Sequence, residues 1–150
     1  MNNLYYCTII YKMSFEERSK QSMSAAQMLC KNNLYPSTIN RAYYSCAQFM
    51  FHALFNILKI NREDFDKEAE KNNNGTHTWA ANRIAIEMAK IHRQDFIWFQ
   101  RSIKELRKGR EIADYQEIEI KQEEAFGLLG KATSINDIIY KRIIKKDASR

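Results

Sequence analysis

Glycine and proline, the residues that most often interrupt helices, are rare in this chain. Its 150 residues include four glycines and one proline, while good helix formers such as leucine, alanine, glutamate and lysine are abundant. Hydrophobic residues make up 45% of the chain, enough for one core in a domain of ordinary size. The sequence therefore predicts an all-α fold, an antiparallel bundle of about five helices.

Apolar residues recur three and four positions apart along five segments, as they do on amphipathic helices. The predicted helices span about residues 14–31, 36–60, 77–91, 95–115 and 121–144. The second should be central, because it is apolar over most of its girth and begins at Pro36, which suits a first helical turn. Residues 61–76 are polar and contain Gly75, so we expect them to form the longest loop or a partly frayed turn.

The domain boundaries follow from the ends of this pattern. A single helical domain is predicted over residues 14–146, between an N-terminal extension, 1–13, and a basic tail, 147–150. Ser14 and Glu17 form a potential capping box at the first helix, so Met13 is an alternative to Met1 as the start. The extension is rich in β-prone residues. It could be disordered, pair with a partner or result from the choice of reading frame.

The sequence shows no signal for a membrane or secreted protein. No stretch approaches the roughly 20 apolar residues that span a bilayer, and the segment LYYCTIIYKM lacks the basic start and cleavage site of a signal peptide. The three cysteines are widely spaced, which favours neither a disulfide framework nor a zinc site. The three histidines show no ligand spacing. We expect a cytoplasmic protein without metal or cofactor.

One charged residue interrupts the apolar stripe of the fourth predicted helix. The stripe consists of Phe96, Phe99, Ile103, Leu106, Arg110 and Ala113. A guanidinium is rarely buried without a partner, so the position of Arg110 needs a reason. One interpretation is a structural ion pair with Asp114, one turn further on. The other is an anion site in a cleft that Arg110 shares with Asp114, Tyr115 and either Arg41 or His77.

Three motifs occur in an order that resembles the HEPN superfamily, small all-helical domains of prokaryotic toxin–antitoxin pairs, defence systems and RNA-processing enzymes. They are R-A-Y-Y from Arg41 to Tyr44, the lone His77, and R-x-x-A-D-Y from Arg110 to Tyr115. The resemblance extends over nearly the whole chain from Met13, because the last segment also looks like that family's closing helix. It implies a HEPN-like fold, a homodimer, and a nucleotidyltransferase-like antitoxin or other defence protein as partner.

The resemblance also implies how such a domain would cut RNA without a metal. Members that cut carry an arginine, which holds the phosphate, and a histidine after four to six intervening residues, which moves protons as the 2′-hydroxyl attacks. None of His52, His77 and His92 has an arginine at that distance upstream. Tyr115 follows Arg110 instead, and a phenol is a poor base at neutral pH.

The altered motif favours a protein that dimerises and binds RNA, a nucleotide or a partner protein without cutting. The alternative is an active metal-independent endoribonuclease that uses Arg110 and Tyr115, aided by Asp114, with His77 as a further candidate.

Basic residues support a phosphate-bearing ligand. The formal charge is +6, and a surplus of this size attracts nucleic-acid backbones. The candidate binding residues are Arg41 on the second predicted helix and Lys104, Arg107 and Lys108 on the fourth. A solvated helix face is the competing interpretation, because Glu105 and Glu111 interrupt the cluster. Tyr43 and Tyr44 could stack on bases, but we expect them to belong to the core.

Two further features of the fourth predicted helix concern packing. Residues 96–99 are Phe, Ile, Trp and Phe, and a helix turns about 100° per residue, so they cannot all face one core. Some should face a second copy of the chain. Gly109, directly before Arg110, is explained either by the close approach of a helix or a phosphate, or by tolerance near a helix end.

Overall fold

A computed structural model describes residues 13–147 of the chain, and this range is helical almost throughout, without a β-strand. Its six main helices are α1 (Phe15–Lys31), α2 (Tyr35–Phe51), α3 (Arg62–Lys71), α4 (Thr76–Ala89), α5 (Arg93–Tyr115) and α6 (Gln122–Ile139). The predicted all-α class is confirmed. The extension before Met13 and the tail residues 148–150 lie outside the described residues.

Two of these helices continue as π-helices, which have more residues per turn than an α-helix. α2 runs on as a π-helix over His52–Ile57, and α6 does so over Tyr140–Ile144 before a last helical turn, Lys145–Asp147. The two π-helical segments pack against each other. None of the helices in residues 13–147 is long and apolar enough to cross a membrane.

The first helix begins as its capping residues predict. The Ser14 hydroxyl accepts a hydrogen bond from the Glu17 backbone N–H at 3.2 Å, and the Ser14 N–H donates to the Glu17 carboxylate at 2.8 Å. This reciprocal pair satisfies two N–H groups that the helix itself leaves free. The predicted capping box is confirmed.

The predicted loop at residues 61–76 is wrong over most of its length, because α3 lies within it. Asn61 caps this helix by accepting the Asp64 N–H at 3.1 Å. Phe65 and Ala69, four residues apart and each 1% exposed, are its two buried residues. So narrow an apolar face is hard to recognise among charged residues. The bundle therefore has six helices within the described range rather than about five.

Helix α2 is the centre of the bundle, as predicted. It packs against α1, α4, α5 and α6, and it buries more residues than any other described helix. Ile39, Cys46 and Met50 are completely inaccessible to solvent. Residues on α2 can therefore contact side chains from four other helices.

Helix α5 crosses α6 at Gly109. A Cβ atom at this position would lie 2.5 Å from Leu128 Cδ1 of α6. Close approach of a second helix therefore explains the glycine, and it brings the next residue, Arg110, near the bundle interior.

The four large residues at the start of α5 divide as helical geometry requires. Phe99 is fully buried and Phe96 packs partly against the core. Ile97 is 55% exposed and Trp98 is 37% exposed. These two side chains leave an apolar surface on the outside of α5.

Candidate functional site

Arg110 lies between α5 and α2 with only 17% of its side chain exposed. Its Nη1 donates to Asp114 Oδ2 at 3.3 Å, which is the ion pair that the spacing of the two residues predicts. Its Cζ also stands 5.0 Å from the centre of the Tyr43 ring, within range of a cation–π interaction. Nε is buried without a hydrogen-bond partner in the described structure. Arg110 is therefore held by packing as well as by charge.

Asn40 of the neighbouring helix α2 also binds this ion pair. Its Nδ2 donates to Asp114 Oδ1 at 3.0 Å and to Oδ2 at 3.2 Å. Asn40 was not among the predicted site residues, although it directly precedes the R-A-Y-Y motif. Its role depends on the packing of α2 against α5, and this packing cannot be predicted from the sequence of either helix alone.

His77 lies in the first turn of α4 and meets the aromatic residues of α2. Its Nδ1 is 3.3 Å from the Tyr43 hydroxyl, and which of the two donates depends on the imidazole tautomer. The Tyr43 and Tyr44 ring centres are each 5.7 Å from that of His77, and the Phe51 centre is 5.6 Å away. Tyr43 is a core residue, as predicted, at 2% exposure. It links Arg110 on one side to His77 on the other.

Burial and charge set the protonation of this cluster. Burial lowers the pKa of His77, and the positive charge of Arg110 lowers it further. Burial raises the pKa of Tyr43, with Arg110 acting in the opposite direction. Burial also acts to lower the pKa of Arg110, but the hydrogen bond to Asp114 and the tyrosines outweigh it and raise that pKa. At neutral pH the cluster combines a cationic arginine with a neutral histidine and a neutral tyrosine.

Beside this cluster lies a cleft between α4 and α5, which we call the α4/α5 cleft. Its lining residues are Tyr43, His77, Ala81, Asn82, Gln100, Ile103, Lys104 and Arg107. The Arg107 Nη1 donates to Thr78 Oγ1 at 2.7 Å, and its Nε lies 3.6 Å from Glu111. The cleft therefore places a lysine and an arginine next to His77.

The start of α4 adds to the positive potential of the cleft. Gly75 is the N-cap residue and offers no side chain to the free N–H groups of the first turn, where the helix dipole is positive. His77 and Thr78 belong to this turn. His77 brings this end of the helix to the cleft beside Lys104 and Arg107, and such a combination suits an anion such as a phosphate.

The structure brings some of the predicted site residues together and leaves others apart. Arg110, Asp114 and His77 form one connected cluster, and Lys104 and Arg107 line the adjacent cleft. Arg41 and Lys108 are exposed and do not line it. Tyr115 is 78% exposed, because five residues turn it about 140° around α5 from Arg110.

Residues 13–147 contain few side chains that are placed for metal or thiol chemistry. No group of three or more histidine, cysteine or carboxylate side chains is placed to hold a metal there. Cys30 and Cys46 are buried and free, and burial raises the pKa of the Cys46 thiol. A buried thiol of this kind is a poor nucleophile.

In comparisons with known proteins, the chain matches no family model, and no curated protein or solved structure is detectably similar to it. The resemblance to the HEPN superfamily therefore stays a prediction from the motifs.

Proposed function

We propose that this protein is a cytoplasmic HEPN-like domain of a toxin–antitoxin or defence system that binds RNA without cutting it. The observation that carries the proposal is the convergence of Lys104, Arg107 and His77 in one cleft at the uncapped start of α4. RNA phosphates would accept hydrogen bonds from these groups. A free nucleotide offers the same chemistry on a smaller scale and serves as a competitor in the tests.

Arg110 contributes positive charge to this site, although the Tyr43 ring lies between its guanidinium and His77. Its positive charge lies in a partly buried setting, where it is screened less than a surface charge. Asp114 neutralises part of that charge, and Glu111, 3.6 Å from Arg107 Nε, neutralises part of the charge of Arg107, while Lys104 adds a further cation at the cleft. The net positive field should make RNA binding fall steeply as salt rises.

In one of the two His77 tautomers, the hydrogen bond between Tyr43 and His77 favours binding over cleavage. With its pKa raised by burial, the Tyr43 hydroxyl keeps its proton and can donate a hydrogen bond to Nδ1 of a neutral imidazole. That tautomer carries its hydrogen on Nε2, which can then donate to a phosphate but cannot act as a general base. Tyr115, the residue that replaces histidine in the motif, lies outside the cluster.

An endoribonuclease is the second candidate, and one observation favours it. Arg110 and His77 flank the same tyrosine ring, so an arginine and an imidazole are close in space although distant in sequence. In the other tautomer, Nδ1–H donates to Tyr43 and Nε2 is a free base near neutral pH.

Incubation of labelled RNA with wild type, Arg110→Ala and His77→Gln separates the two functions. We expect intact RNA in every sample, together with binding by wild type that Arg110→Ala weakens. Metal-independent cleavage by wild type that His77→Gln abolishes would instead establish the nuclease. Cell growth during expression of the same variants reports toxicity independently.

We further propose that the protein forms a homodimer through the exposed Ile97 and Trp98. Light scattering should give twice the monomer mass for wild type and the monomer mass for Ile97→Asp. Met28 on α1 is 66% exposed, so Met28→Asp is a matched control that should leave the dimer intact. Wild type that stays monomeric at high concentration would contradict this interface.

A further inference from the structure

The α4/α5 cleft does not end at its basic residues but continues into an apolar groove between the same two helices. Asn82 and Gln100 line both parts. Beyond them the groove is formed mainly by Ala85, Ile86 and Ala89 of α4 and by Phe96 of α5. Lys90, at the end of α4, also lines it, and its Nζ is paired with Glu87 at 2.8 Å. The alanines leave room between the helices, and Ile86 is 47% exposed along the edge. We call this the α4/α5 groove.

Side-chain chemistry changes in a regular order along this surface. On α5 it runs from Phe96 through Gln100 to Lys104 and Arg107, at helical spacing along one face. On α4 it runs from Ile86 through Asn82 to Thr78, again in steps of four. The surface is therefore apolar at one end, carries amides in the middle and is basic at the other end.

The length of this surface corresponds to three turns of helix. Arg107 lies three turns beyond Phe96 along α5, a distance of about 16 Å at 1.5 Å per residue. A groove between two helices accepts a third helix through apolar side chains at i, i+4 and i+7. A helix of matching length would reach from Ile86 to the basic end.

We propose that the α4/α5 groove docks an amphipathic helix of a partner protein, with apolar side chains against Ile86 and Phe96 and carboxylates against Lys104 and Arg107. The partner is identified by its pattern, apolar at one end and acidic at the other. This inference rests on the proposed function in one respect: the acidic end occupies the cleft that we assign to RNA. The partner would therefore exclude RNA and regulate the site.

Charge distinguishes this occupant from a second copy of the chain. Helix α5 carries Arg101, Lys104, Arg107, Lys108 and Arg110 against only Glu105 and Glu111 over the same stretch. A second α5 in the groove would bring like charges to the basic end, which costs free energy. An acidic helix satisfies the apolar and the basic parts together.

The probes are synthetic three-turn helical peptides that carry leucines at one end and glutamates at the other, made in both orders. Fluorescence anisotropy measures their binding to the full chain, and a labelled single-stranded RNA measures competition. Ile86→Glu alters the apolar end and Lys104→Glu the basic end. Phe126 on α6 is 50% exposed and lies outside the groove, so Phe126→Glu is a matched control for Ile86→Glu.

We expect one peptide order to bind and to displace the RNA. Ile86→Glu should weaken peptide binding by at least about tenfold, as loss of an anchor does, while RNA affinity stays within about twofold. Lys104→Glu should weaken both ligands, and Phe126→Glu neither.

The inference is overturned if neither peptide binds, if Ile86→Glu and Phe126→Glu behave alike, or if peptide and RNA bind together. It is also overturned if Ile86→Glu turns a dimer into a monomer and no peptide binds, because a second copy then fills the groove. Peptide binding with the expected dependence on Ile86, but no RNA binding by wild type, would reject the proposed function alone.

Discussion

Asn40 donates to both carboxylate oxygens of Asp114, at 3.0 and 3.2 Å, across 74 positions of sequence. The same carboxylate accepts from Arg110 at 3.3 Å. Helix α2 therefore fixes the guanidinium twice, through Asn40 and Asp114 on one side and through the Tyr43 ring on the other. Arg110 is oriented before any ligand arrives.

Replacing Asn40 should weaken this arrangement without unfolding the bundle. Asn40→Ala removes two hydrogen bonds to a charged but partly exposed acceptor, so we expect the free energy of unfolding to fall by about 1 kcal/mol. Urea denaturation measures it. Asn56→Ala, at an exposed position without this contact, is the control and should change stability little. Equal stabilities of the two variants would mean that Asp114 orients Arg110 without help from Asn40.

The pH dependence of stability should carry a contribution from His77. Its pKa in the folded protein lies below the ordinary value of 6.5, so between the two values the unfolded chain binds more protons. Stability is then complete above pH 6.5 and is lost as the pH falls through the folded-state pKa. Denaturation at pH 7.5 and pH 5.5 should show a larger loss for wild type than for His77→Gln.

Arg110→Ala provides a direct test of the cause of that shift. Removing the positive charge should raise the pKa of His77 part of the way toward its ordinary value, with burial still lowering it. NMR titration of the imidazole measures this. A His77 pKa that is the same in Arg110→Ala and in wild type would place the two groups too far apart to interact.

Gly109 should resist replacement although it lies within a helix. Alanine gains about 1 kcal/mol of helix propensity over glycine, but a Cβ here would meet Leu128 Cδ1 at 2.5 Å. Overpacking of this kind costs about 1–3 kcal/mol, so we expect Gly109→Ala to lower the melting temperature. A Cβ at Gly127 on α6 meets nothing within 4 Å, and Gly127→Ala should raise it. Stabilisation by both changes would show that Leu128 moves aside for the new Cβ without a loss of stability.

The features that the sequence predicted are those with a local or periodic origin. The capping box at Ser14 depends on residues three apart, the Arg110–Asp114 pair on residues four apart, and the central position of α2 on its own apolar pattern. Each can be read from one segment. The helical class follows from composition alone.

The remaining features depend on contacts between distant segments or on weak patterns. Helix α3 was not predicted because only Phe65 and Ala69 form its buried face. The contact of Asn40 with Asp114 and the contact of Tyr43 with His77 form where α2 packs against other helices. Such pairs cannot be predicted from the sequence of a single segment. The motif places Tyr115 next to Asp114, but the turn of α5 directs it to solvent.

The affinity of a single-stranded RNA oligonucleotide for Arg107→Gln, compared with Arg101→Gln, tests the central claim most directly. Both changes remove one positive charge from α5, but Arg107 lines the α4/α5 cleft whereas the Arg101 side chain is 81% exposed outside it. We predict that Arg107→Gln weakens binding about tenfold and lowers the slope of log affinity against log salt by about one. Arg101→Gln should stay within about twofold of wild type. Equal losses for the two variants, or no RNA binding by wild type, would contradict a phosphate site in the cleft.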